Sequence, residues 1–156
     1  MVAVMPSGYH SVTPYLITHN AADAIDFYKR AFGASEIMRL EMPTGQVAHA
    51  EIQIGNSRVM LADEFPDMAF PSPKTLGGAA VSLMVYMDNV DARFDRAIAA
   101  GGKIRKPVAD QFYGDRSGTL EDPFGHVWTL ATHIEDVSQA EVQRRAIAMA
   151  REKVPV

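Results

Sequence analysis

The chain has 156 residues, 47% of them apolar, and a formal net charge of −4 with both signs interspersed. That length supports one domain or two small fused halves, able to bury about 70% of the unfolded surface, so no covalent staple is required. The charge balance argues against nucleic acid or an anionic membrane as the main partner, and the absence of cysteine excludes disulfides and thiolate chemistry.

The first six residues are too short and lack the basic segment of a signal peptide, and no apolar run approaches membrane-spanning length. The expectation is a cytoplasmic protein. Residues 1–11 read as an N-terminal arm. Val12 to Thr18 reads as a first strand, after which Asn20 caps a helix through Phe32, with Asp23 in its first turn and Gly33 at its end. Ile25, Tyr28 and Phe32 share one helical face. Ala34 to Met42 is a second strand. Val47 to Ile54 and Ser57 to Asp63 are the third and fourth, joined at a Gly55-Asn56 hairpin turn.

Residues 64–79, with three prolines and a Gly pair, read as a linker. Ala80 to Met87 is a fifth strand. Asn89 caps a second helix, with Val90, Phe94, Ala97 and Ile98 on one face, ending at Gly101-Gly102. A shorter strand follows near Lys103 to Val108. Phe112 to His133 then reads as a loop, a strand, a tight Asp122-Pro123-Phe124-Gly125 turn and a last strand. Residues 134–156 hold a further helix from Ser138 to Lys153, opened by a Ser138–Glu141 capping box.

An offset of 69 superposes the halves: Asn20 falls on Asn89, Gly33 on Gly102, and the Gly55-Asn56 turn on Phe124-Gly125. The simplest account is a duplicated strand–helix–strand–strand–strand unit at 12–63 and 80–133. The fold class is α+β. Each unit has one helix to cover one face of its sheet, so the other face must meet a partner or a ligand.

The hairpin fixes which side chains share that other face. With Gln53 opposite Arg58 and Glu51 opposite Met60, the residues His49, Glu51, Gln53 and Arg58 project together, and Ala50, Ile52, Val59 and Leu61 lie under the helix. An imidazole beside a carboxylate suits general-base chemistry near neutral pH, which makes His49 and Glu51 the catalytic candidates. Tyr15, Arg58, Ser82, Met84, Tyr86 and Thr129 fall on the open faces as pocket-lining, ligand-binding candidates. Phe112, Tyr113 and Arg116 sit where a loop could close a cavity mouth, Arg116 either gripping an anion or tying the loop to a neighbouring carboxylate, with Asp115 adjacent. His126 and Trp128 read as structural, and His133 carries no assigned role. No phosphate loop, nucleophile elbow or dinucleotide fingerprint is present.

The runs A-I-D-F-Y-K-R-A-F-G-A (24–34), A-H-A-E-I-Q-I-G-N (48–56) and D-P-F-G-H-V-W (122–128) resemble the vicinal oxygen chelate superfamily of glyoxalases, bleomycin-resistance proteins and extradiol dioxygenases, most of all its PhnB-like branch. The resemblance implies paired βαβββ modules around a cavity, a homodimer, and a small-molecule ligand. It also implies metal ligands on the first and fourth strand of each module. Those positions hold Thr13, Met60, Ser82 and Thr129, none of them His, Glu or Asp. The expectation is therefore a small-molecule-binding protein of the bleomycin-resistance kind without a cofactor. The alternatives are a lyase or isomerase acting through His49 and Glu51 or a relocated divalent metal, and a non-catalytic dimeric module.

Overall fold

The computed structural model describes residues 2–152. Two four-stranded mixed sheets carry the two modules, one with strand order β1-β4-β3-β2 and the other β5-β8-β7-β6. The first module comprises β1 (Tyr15–Thr18), α1 (Ala21–Phe32), β2 (Ser35–Glu41), β3 (Val47–Ile54) and β4 (Ser57–Asp63). A short helix α2 (Pro73–Leu76) follows. The second module comprises β5 (Ser82–Tyr86), α3 (Val90–Ala99), β6 (Lys103–Asp110), β7 (Asp115–Glu121) and β8 (Val127–His133), and α4 (Gln139–Glu152) comes last. In each module the first strand pairs in parallel with the fourth, and the others pair antiparallel.

Capping explains where the helices start. The Asn20 side chain accepts from Asp23 N at 3.1 Å, and Asn89 from Ala92 N at 3.3 Å. The strand ending each module adds a second cap: Asp63 accepts Ala21 N at 2.7 Å, and Thr132, 69 residues later, accepts Val90 N at 3.0 Å. Gly33, in left-handed backbone, closes α1.

One core spans both modules. The first contributes Ile25, Phe27, Tyr28, Phe32, Ile52 and Leu61, and the second Val90, Phe94, Leu120, Trp128 and Leu130. Trp128 of β8 packs on Phe32 and Tyr28 of α1, with ring centroids 4.8 and 5.3 Å apart. Beneath this contact lies Asp122, 2% exposed. It accepts four hydrogen bonds: from Tyr28 Oη (2.7 Å), Trp128 Nε1 (2.9 Å), and the backbone N–H groups of Phe124 and His126. Burial first, then the Asp122 charge, pushes the Tyr28 phenol well above its ordinary range. His126 Nε2–H donates to Ile17 O, a further tie between modules.

Several sequence expectations are corrected. The first strand begins at Tyr15, because Pro14 lacks the N–H a ladder needs, although its carbonyl still accepts from Met60 N. Thr13 therefore lies outside the strand. The linker holds α2, capped by Ser72. The shorter strand runs on to Asp110 with register shifts. The second hairpin is one residue longer than the first: five residues separate Glu121 from Val127, against four between Gln53 and Arg58. The 69 offset therefore holds for the fourth strands and slips by one on the third. The extra residue is the room in which the Asp122 side chain wraps its own turn. The last helix starts as expected, with Glu141 N on Ser138 Oγ, and Lys153 lies outside the described residues. No residue of α4 is buried and it approaches no other helix or strand. Arg145 anchors it, donating to Glu135 and to Phe112 O. Gly114 sits under this anchor, accepting from Ile134 N and Glu135 N, and a β-carbon there would collide with the Glu135 carbonyl.

Candidate functional site

The hairpin register is the one the Gly55-Asn56 turn predicts: Ile54 faces Ser57, Gln53 faces Arg58, and Glu51 faces Met60. Ala50, Ile52, Val59 and Leu61 are buried under α1. His49, Glu51, Arg58 and Met60 are half-buried on the opposite, open face, and Tyr15 joins them from β1, paired with Met60.

These side chains form a hydrogen-bonded chain. Tyr15 Oη lies 2.7 Å from His49 Nδ1, and His49 Nε2 lies 3.3 Å from Glu51 Oε1. A carboxylate can only accept, so Nε2 carries a proton. In neutral His49 the Tyr15 hydroxyl then donates to Nδ1, and its oxygen lone pairs face outward. In the imidazolium, Nδ1–H donates to Tyr15 and the phenol proton is free. Both ring nitrogens are engaged, so the group this unit presents to a ligand is the Tyr15 oxygen rather than the imidazole. Burial raises the Tyr15 pKa and keeps the phenol protonated. The Glu51 carboxyl is held below its ordinary range, chiefly by the Tyr9 hydroxyl, with His49 and Arg58 adding and burial opposing. That hydroxyl approaches Glu51 but falls short of strict hydrogen-bond geometry. Burial and the Glu51 charge push Tyr9 up to about 12.

Beside Tyr15 lies a cavity of about 350 Å³ bounded by Tyr15, Ile17, Ala62, Phe65, Met68 and Phe70. The segment 64–79 is more than the linker its prolines suggest. Its aromatic and Met residues form the outer wall here, and Met68 and Phe70 are more than half exposed.

The second module's open face presents Ser82, Met84 and Tyr86 of β5 with Thr119 and Thr129 of β7 and β8. Thr129 Oγ1 is bonded to Thr119 Oγ1 at 2.9 Å. Tyr86 donates to Asp115 at 2.8 Å, and Asp115, 4% exposed, also holds His133 Nδ1 at 2.8 Å. His133 Nε2 meets Asp136 at 2.9 Å. Two flanking carboxylates raise the His133 pKa, Asp115 first and Asp136 second. In the sequence the one signal at His133 is an aspartate three residues on. Tyr113 packs edge-on against Phe112 in the turn before β7. Arg116 stands in β7, not in a mouth loop, and donates to Asp91 and Asp110 rather than to Asp115. With its fork filled, it is not available to grip a ligand.

Of the positions at which the family resemblance implies metal ligands, Met60, Thr129 and Ser82 lie in strands and Thr13 precedes the first strand. A thioether and hydroxyls do not suit a hard divalent ion. Among the described residues, no three His, Cys, Asp or Glu side chains group to hold one.

Residues 8–130 match the model of the glyoxalase/bleomycin resistance protein/dioxygenase superfamily. The chain belongs to that superfamily. An uncharacterised protein of Mycobacterium bovis is 40% identical over 136 residues, spanning 85% of this chain and 90% of that one. The crystal structure of TioX from Micromonospora sp. ML1 is similar with a TM-score of 0.63 and 27% identity, over 80% of this chain and 99% of that one. The PhnB protein of Bacillus cereus is alike in fold, with a TM-score of 0.62, 21% identity, and 79% and 99% coverage. Within the superfamily fold, the open faces described above are the two module surfaces that the helices leave uncovered. Among the described residues no helix is long and apolar enough to cross a membrane.

Proposed function

We propose that this superfamily member binds a small, flat, mainly apolar molecule on the open face of its first module, without a metal. The observation that carries this reading is the cavity walled by Phe65, Met68 and Phe70 and closed on one side by Tyr15, whose oxygen is oriented by His49 and Glu51. Apolar walls with a few oriented polar groups are the usual make-up of a ligand site. Thermal-shift screening with bleomycin-type glycopeptides, neutral aromatics and thiol conjugates tests it. A compound that raises Tm should lose affinity about tenfold in Phe70→Ala, the scale of one buried aromatic contact. A panel without any saturable shift, or hits indifferent to Phe70→Ala, overturns the reading.

A second reading is favoured by the Tyr15–His49–Glu51 chain itself. In a lyase or isomerase, the Tyr15 oxygen would exchange a proton with the ligand and His49 would be that proton's next stop. His49→Gln would then abolish turnover while leaving ligand affinity within about threefold. Loss of both together would instead show a purely binding role.

We further propose a homodimer. Support comes from the exposed apolar residues of β2 (Ile37, Met38, Leu40) and from Ile147 and Met149 of α4. Light scattering on the purified chain should give twice the 17.1 kDa chain mass; a monomer would refute it.

A further inference from the structure

Ten arginines lie among the described residues. Arg30 and Arg96 donate to backbone carbonyls at the C-terminal ends of α3 and α1, respectively. Arg39, Arg93, Arg105, Arg116, Arg144 and Arg145 pair with carboxylates. Two have no acceptor among the described residues. Arg151 is exposed in the last turn of α4, where water serves it. Arg58 is different: it is half-buried, and its Nε and Nη1 are sealed from solvent with no hydrogen-bond partner.

The N-terminal arm does the sealing. Arg58 Cζ lies 5.9 Å from the Tyr9 ring centroid, and a β-carbon on Gly8 would stand 3.1 Å from Nε and Nη2. A guanidinium over a ring face is held there by the ring quadrupole, which supplies no hydrogen-bond acceptor for its donors. Glu51, the nearby carboxylate, sits diagonally across the strand pair and is engaged by His49; it makes no ion pair with Arg58. Sealed donors left unfilled are costly, and Nη2, the one guanidinium nitrogen that is not sealed, is where an oxyanion in the groove would bond to the cation.

Arg58 lines a groove of about 570 Å³ between the two modules, whose other walls include Val12, Leu83, Met84, Tyr86 and Trp128. This groove shares no lining residue with the Phe65–Phe70 cavity. We propose that it is a second ligand site, for a monoanionic carboxylate with a flat apolar body, and that Arg58 is its anion anchor. The apolar walls select the body. One cation near Glu51, in a chain of net charge −4, selects a single negative charge over a dianion such as phosphate. The inference goes beyond the reading above and does not depend on it.

The test uses the full chain with 2-naphthoate, its neutral isostere 2-naphthamide, and inorganic phosphate. Calorimetry should show saturable naphthoate binding at least about tenfold tighter than naphthamide, as expected for a charge-assisted hydrogen-bond pair. Phosphate should bind more weakly than naphthoate. Arg58→Gln should erase the preference for naphthoate over naphthamide. In the unsubstituted protein the Arg58 Nε–Hε resonance should move on naphthoate addition, which decides the matter if Arg58→Gln does not fold. Phe70→Ala should leave naphthoate binding unchanged, separating this site from the first cavity. Equal affinity for the two naphthyl probes, phosphate binding tighter than naphthoate, a preference that survives Arg58→Gln, a silent Arg58 resonance or no saturable naphthoate binding would each overturn the proposal.

Discussion

At the end of its fourth strand the first module carries Asp63, and the second carries Thr132. Both cap the N-terminus of their own helix, but Asp63 also accepts Val47 N and so ties the start of β3 to the same carboxylate. Thr132 instead spends its proton on Met87 O. The helices differ in the same sense: α1 buries seven residues and α3 three, so the first module holds the centre of the core. What the second module supplies to that centre is Trp128 and, above all, Asp122. A duplicated unit thus keeps its plan while the two copies take unequal shares of the stability. Their open faces diverge as well. The first carries an oriented tyrosine beside an apolar cavity, and the second carries a histidine clamped between carboxylates at the root of α4.

The strongest way to break this comparison is at the joint. Asp122→Ala leaves the Tyr28 hydroxyl and the Trp128 N–H buried without an acceptor and should cost about 3–5 kcal/mol in chemical denaturation. Tyr28→Phe, which removes one donor and leaves the others paired, should cost only about 1–2 kcal/mol. A small effect of Asp122→Ala would mean that the modules cohere by ring packing alone. The unequal caps come next. Asp63→Ala, which strands two backbone donors, should cost about 2–3 kcal/mol, and Thr132→Val about 1 kcal/mol. Equal losses would show that the modules contribute alike.

Smaller still is a pH effect confined to the second module. The folded pKa of His133 is raised, so its clamp stabilises fully below the ordinary imidazole value of 6.5 and is lost as pH rises through the higher folded value. Hydrogen exchange at Ile134 and Glu135, whose amides dock on Gly114, should therefore quicken on the alkaline side of that transition. Asp115→Asn should remove most of the pH dependence. A His133 titration seen by NMR at or below 6.5 would refute the clamp. The smallest effect is expected at Arg116, which is solvent-screened despite its two carboxylates. Arg116→Ala should leave Tm nearly unchanged and ligand affinity at the Phe65–Phe70 cavity untouched.

Much of this was legible before any coordinates. The Asn caps, Gly33 and the Gly55-Asn56 turn are local signals, and they placed α1, β3 and β4 within a residue or two. The period-two alternation of β3 and β4 put His49, Glu51 and Arg58 on one face, because a hairpin turn leaves no freedom of register. Arg116 was misplaced for the opposite reason: its partners Asp91 and Asp110 lie on other elements, and sequence adjacency pointed to Asp115. The cavity wall was missed because Phe65, Met68 and Phe70 sit among prolines and show no period. His133 was passed over because the carboxylate orienting it, Asp115, reaches it only through the β7–β8 pairing.

By itself the sequence determined the repeated element order, the faces of the strands, and the caps. Each of these depends on neighbours within one turn or one hairpin. Tertiary structure alone decided that Asp122 would collect donors from both modules, that Tyr15 would orient through His49, and that Arg58 would be left without an acceptor. Those outcomes turn on which distant side chains meet in the packed core and which the N-terminal arm covers, and no local pattern records them.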